Sequence, residues 1–77
     1  MKTLDYRTDE TSTFFDLYFY NDVVRIRDEA KDQYPELADA KFQVLGDPFT
    51  SRNGYVKMRD LLNQQDYRVD MSLMTKV

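Results

Sequence analysis

The fold turns on how one reads Phe14-Phe15-Asp16-Leu17-Tyr18-Phe19-Tyr20 and the Asn21-Asp22-Val23-Val24-Arg25-Ile26-Arg27 that follows. Five of the first seven residues are aromatic, in a chain with only six tyrosines, five phenylalanines and no tryptophan. As a strand, this run sends Phe15, Leu17 and Phe19 to one face and Phe14, Asp16, Tyr18 and Tyr20 to the other. The first face is purely apolar and is expected in the core. The second mixes rings with hydroxyls and a carboxylate, as a surface that meets another molecule would.

Asn21-Asp22 has the chemistry of a helix N-cap, since short polar side chains accept bonds from the first free amides. Beyond it, Val23, Ile26, Ala30 and Tyr34 share a helical stripe, with Arg25, Asp28, Glu29 and Asp32 opposite. Pro35 disfavours helix at Tyr34 and ends the run. Val24 and Ile26 also alternate, so a return strand over residues 23–27 competes; Asp28-Glu29-Ala30-Lys31 extends the helix naturally and favours that reading.

Outward from this centre, residues 3–7 alternate as a short strand with Leu4 and Tyr6 inward. Residues 8–12 are polar and turn-like. Phe42 to Leu45 is a strand stopped by the turn Gly46-Asp47-Pro48. Asn53-Gly54 is a strong hairpin signal that would make Tyr55 to Arg59 a strand. Tyr55, Met58, Leu61 and Leu62 nevertheless share a helical stripe, and the sequence reading takes this segment as helix. Tyr67, Val69, Met71 and Leu73 alternate with polar residues as a closing strand. The expected architecture is one small α+β domain over residues 1–77, in the order ββαβαβ. It is a two-layer sandwich with a small, mostly antiparallel or mixed sheet of about four strands and two helices on one face.

Size sets the energetic problem. A chain of 77 residues hides only about 60% of its unfolded surface. Cysteine and histidine are both absent, which removes disulfides and imidazole or thiolate zinc sites as supplements. Large aromatic side chains, or self-association, must then supplement the core. Hydrophobic content of 42% and charged content of 32% are globular values. No apolar stretch reaches the ~20 residues of a membrane span, and the first residues lack the apolar region of a signal peptide; a cytoplasmic protein is expected.

The same absences exclude Ser-His-Asp and Cys-His catalysis within one chain. The two glycines, Gly46 and Gly54, cannot form a phosphate-cradling fingerprint. Asp39-Ala40-Lys41 has the local form of some metal-dependent nuclease sites, but it needs a further carboxylate from Asp16 or Asp28. No enzyme, cofactor or metal is expected.

Leu17-Tyr18-Phe19-Tyr20-Asn21 resembles the first-strand aromatic motif of RNA-recognition domains, and Arg52-Asn53-Gly54-Tyr55-Val56-Lys57-Met58 falls near the place of their second. The resemblance implies base stacking on the aromatic strand. It covers about a dozen residues. Lys57 and Met58 replace the alternating aromatics of the second motif, so the family is not assigned.

Net charge is −3, distributed unevenly: residues 1–40 hold ten acids and five bases, and residues 41–77 hold four acids and six bases. Carboxylates gather from Asp22 to Asp39, a surface suited to a basic partner and repellent to phosphate. The sequence therefore predicts a non-enzymatic protein-binding module. Its docking residues would be Phe14, Tyr18 and Tyr20, steered by Asp28, Glu29, Asp32 and Glu36 toward a protein with a basic surface. Small inhibitors or adaptors from phages and mobile elements share this composition. The alternatives are single-stranded nucleic acid or RNA stacked on the aromatic strand, which the acidic balance makes an unfavoured partner, and a homodimer paired through the aromatic face.

Overall fold

The computed structural model describes residues 1–7, 18–48 and 54–77. Six strands form one sheet: β1 (Lys2–Leu4), β2 (Val23–Ile26), β3 (Lys41–Val44), β4 (Tyr55–Asp60), β5 (Gln65–Asp70) and β6 (Met74–Lys76). Their spatial order is β1-β5-β4-β3-β2-β6. Only β1 against β5 is parallel; every other neighbouring pair is antiparallel. Helical backbone among the described elements is limited to 3-10 segments at Asp28–Gln33, Pro35–Leu37 and Met71–Leu73.

This overturns the expected two-helix sandwich with four strands. Where the first helix was expected, Val23–Ile26 is a strand, because the period-2 pattern governs there. Val24 and Ile26 are fully buried, while Val23 and Arg25 face the other way. The helical stripe broke because Ile26 already belongs to the sheet. Residues 28–37 then bury only Ala30 and Leu37, too little apolar area to sustain a longer helix. The second expected helix is replaced by β4, which buries Val56, Met58 and Asp60 on alternate positions. Leu61 and Leu62, read as part of a helical stripe, sit exposed in the β4–β5 turn. The closing strand is divided, with Met71 to Leu73 forming a 3-10 turn between β5 and β6.

The sheet must coil. Asp70 ends β5 and Met74 begins β6, so the link spans at most ~14 Å. In a flat sheet, strands four places apart lie ~19 Å from each other. Only strong curvature lets β6 reach the far side of β2. The inner face then closes around Leu4, Val24, Ile26, Phe42, Val44, Val56, Met58, Tyr67, Val69 and Met74 in one cluster. Phe42 meets Tyr67 edge to face at 5.9 Å between centroids.

The two sheet edges, β1 and β6, are tied by side chains of the β2–β3 connection. Tyr34 Oη accepts from the Asp5 amide at 2.7 Å and donates to the Asp5 carbonyl at 2.8 Å. Gln33 does the same for Arg7, accepting at 3.0 Å and donating at 2.6 Å. These two side chains substitute for a neighbouring strand, which satisfies backbone groups that would otherwise stand bare at an edge. The buried Arg27 guanidinium donates to the Met74 carbonyl on β6 at 3.3 Å and lies 5.8 Å from the centre of the Tyr6 ring.

Candidate functional site

The aromatic segment divides differently from its alternation. Phe14 to Leu17 lie outside the described residues. Tyr18 to Tyr20 are not a strand; a turn carries Tyr20 and Asn21, with Asn21 at φ 72°. Strand parity therefore fails, and the two faces exchange members. Tyr18, expected on an open face, is only 4% exposed, and its hydroxyl donates to the Met71 carbonyl at 2.8 Å. Phe19, expected in the core, is 47% exposed, and Tyr20 is 59% exposed.

The turn is held from several sides. The Asp22 carboxylate, expected near a helix cap, accepts instead from the Phe19 amide at 2.8 Å. The Asp22 amide returns to the Phe19 carbonyl at 3.0 Å, and the Asn21 amide donates to Val44 at 2.9 Å. Two rings are thus presented at the start of β2. Exposed Val23 follows them on that strand, and its carbonyl accepts from the amide of exposed Val77.

The acidic residues singled out from sequence lie on the β2–β3 connection. Asp28, Glu29, Asp32 and Glu36 are all exposed there, at the opposite end of β2 from Tyr20. The charge is partly offset: Asp28 pairs with Arg25 at 3.1 Å and Lys31 at 3.3 Å, and Glu29 approaches Arg27 at 3.9 Å. Hydrogen bonding from Lys31, then from Arg25, holds the Asp28 carboxyl below its usual range. Asp39 and Lys41 of the nuclease-like tripeptide are both exposed. Among the described residues, no three metal-ligating side chains gather.

The outer face of the sheet carries a feature that sequence reasoning missed. Its outward residues include Arg25 on β2, Lys41 on β3, Lys57 and Arg59 on β4, and Arg68 on β5. Lys57 stands directly opposite Arg68, and Arg25 directly opposite Lys41. Both pairs occupy positions where the two residues do not exchange backbone bonds. The Lys57 carbonyl is turned toward β3, where it accepts from Leu45. The Asp22 carbonyl accepts from Val44, which leaves the 25–41 pair unbonded by alternation. Such positions bring side chains closest together, with Cα atoms ~4.5 Å apart. Like charges placed there oppose folding.

Asp28 pairs with Arg25 at one end of this band, and Asp66 lies within it. Asp66 receives Arg59 Nε at 2.8 Å and stands 3.5 Å from Lys57 Nζ. The Arg59 hydrogen bond, opposed by some desolvation, keeps Asp66 below the usual carboxylate range and moves Arg59 up. Arg68 lies over the Tyr55 ring at 4.7 Å. The Tyr55 hydroxyl donates to Asp5, which pushes the phenol up. Lys41 makes no ion pair among the described residues. Five bases against the two carboxylates that pair with them, Asp66 and Asp28, give +3 in a chain of −3, leaving −6 for the rest of the surface. The signal in the sequence was Lys57-x-Arg59 beside Arg68. Reading residues 55–64 as helix concealed that these bases share a sheet face.

Among the described residues, no helix is long and apolar enough to cross a membrane. Comparison with known proteins finds no matching family model, curated relative or solved structure.

Proposed function

We propose that this chain is a small binding module that engages a protein partner through the corner formed by Phe19 and Tyr20, acting by occupation of a surface. The observation that carries this reading is the presentation of two exposed rings on a turn fixed by backbone and carboxylate bonds. Rings held in place lose little conformational freedom on binding, and tyrosine offers an apolar body with a polar tip. Val23 and Val77 extend the apolar surface beside them. The exposed carboxylates Asp28, Glu29, Asp32 and Glu36, on the connection at the far end of β2, would steer a partner with a basic surface. Without histidine or cysteine the chain holds no Ser-His-Asp or Cys-His constellation, which fits action by binding.

The test is affinity capture from the source cells with the wild-type chain and a Phe19→Ser, Tyr20→Ser variant, each checked by urea unfolding. The reading predicts a defined protein retained only by the wild type, with both chains equally stable. Equal retention by the variant refutes it. Sedimentation of the isolated chain separates a foreign partner from a second copy, since self-pairing through this corner would yield a dimer at micromolar concentration.

A further inference from the structure

We infer that the basic band on the outer face of the sheet, Arg68 and Lys57 through Arg59 to Lys41 and Arg25, is a binding site for single-stranded nucleic acid. The inference stands apart from the Phe19–Tyr20 corner and uses none of its residues. It begins from a concentration of bases that contacts to Asp66, Asp28 and Tyr55 offset only in part. With 14 acidic residues available, the chain places base opposite base at two close cross-strand positions, Lys57–Arg68 and Arg25–Lys41. Solubility alone would be served as well by alternating signs. An arrangement that opposes folding is retained where a ligand uses it.

The band crosses four neighbouring strands, ~14 Å, while descending about four residues along them, so it is ~20 Å long. It is a diagonal track of cations. The net acidic charge argued against a phosphate backbone, but the carboxylates that generate it are largely elsewhere. Asp66 and Asp28 each pair with bases of the band, and Asp5 and Asp70 stand at its Tyr55 end. The bases still outnumber the carboxylates they pair with, and charges beyond ~8 Å are largely screened at physiological salt.

Three considerations select a single strand. The face is the outside of a coiled sheet and so convex, which a flexible strand can follow. A rigid duplex touches a convex surface at few phosphates, and no described helix is available to enter a groove. Finally, the outward residues of the band are charged, so affinity must come chiefly from charge. Nucleic acids draw most on charge alone, because neutralising their phosphates releases condensed counterions.

The salt dependence is calculable. With about four phosphates neutralised, log K falls against log salt with a slope of about −3 for a single strand. Affinity then drops about 50-fold between 50 and 200 mM salt. The experiment is fluorescence anisotropy with labelled oligo-dT and oligo-U of about twelve nucleotides, beside a duplex and a polyglutamate peptide of matched charge. The site predicts binding of at least one single strand, tighter than duplex and peptide, with that slope. Lys57→Ala with Arg68→Ala should halve the slope, to about −1.4, with folding confirmed by urea unfolding, since relief of the opposed pair is set against loss of the Lys57–Asp66 and Arg68–Tyr55 contacts. A Phe19→Ser, Tyr20→Ser chain should keep the full slope. Absence of single-strand binding at 50 mM salt overturns the inference. So does equal binding of polyglutamate, which would make the band a site for acidic polypeptides, or an unchanged slope in the Lys57/Arg68 variant.

Discussion

Replacing Tyr18 and Tyr20 one at a time distinguishes two residues that look alike in sequence. Tyr18 is almost fully enclosed and its hydroxyl bonds the Met71 carbonyl in the 3-10 turn before β6. Removing a buried aromatic ring costs ~3–5 kcal/mol, including the cavity left behind. Removing the hydroxyl alone costs ~0.5–1.5 kcal/mol, since the Met71 carbonyl loses its donor. A chain of this length has only about 4–12 kcal/mol in total. Tyr18→Ala should therefore leave much of the population unfolded. Tyr18→Phe should stay folded with its urea midpoint lowered by about 0.5–1.5 M, for a denaturant slope near 1 kcal/mol/M. Tyr20, more than half exposed, should tolerate Tyr20→Ala within about ±0.5 kcal/mol. Urea unfolding followed by far-ultraviolet circular dichroism reads all three. A Tyr18→Ala cost below about 1 kcal/mol, or an equal cost at Tyr20, would refute the division of the aromatic segment between core and surface.

Asp60 supports the β4–β5 turn from a fully buried position. Its carboxylate accepts from the Leu62 amide at 2.9 Å, the Asn63 amide at 3.4 Å and the Asn63 side chain at 3.0 Å. Asp60→Ala strands these donors and should cost ~1–3 kcal/mol, with faster hydrogen exchange at Leu62 and Asn63 than in Asp60→Asn. For Asp66 and Asp28 the folded carboxyls sit below the ordinary value of 3.8. Their stabilising contribution is present above that value and fades as pH falls through the lower folded values. Both take part in solvent-screened surface pairs, so Asp66→Asn should make the acid limb of the stability curve slightly shallower and leave neutral pH nearly unchanged. Tyr55 has the opposite sign: its phenol is raised from 10.0 by Asp5. Its contribution is present below 10.0 and lost at higher pH, and Asp5→Asn should return one late-titrating tyrosine toward the others in an ultraviolet titration.

What was legible in the sequence was the period where only one period fitted. Phe42 to Val44 and Tyr67 to Val69 alternate without a competing stripe, and both emerged as strands with those residues inward. Leu4 likewise entered the core. Val23 to Ile26 and Tyr55 to Asp60 satisfy both periods, and tertiary pairing decided between them. Asp60 worsened the ambiguity, because a buried carboxylate interrupts the apolar alternation that would have marked β4. Tyr18 and Phe19 misled for another reason: parity is meaningful only in a continuing strand, and the chain turns at Asn21 with a left-handed backbone. The basic band lay beyond local reading altogether. It exists because residues 11 and 16 apart in sequence, Lys57 with Arg68 and Arg25 with Lys41, meet across strands.

That register is the most direct point of test. In an NMR spectrum of the isolated chain, Hα–Hα cross-peaks should join Lys57 to Arg68 and Arg25 to Lys41, the close pairs of the outer face. A third should join Ile26 to Met74 and record the closure of the coiled sheet onto β6. Continuous amide–amide cross-peaks and helical shifts from Tyr55 to Gln64, with those three contacts missing, would contradict both the fold and the charged face built on it.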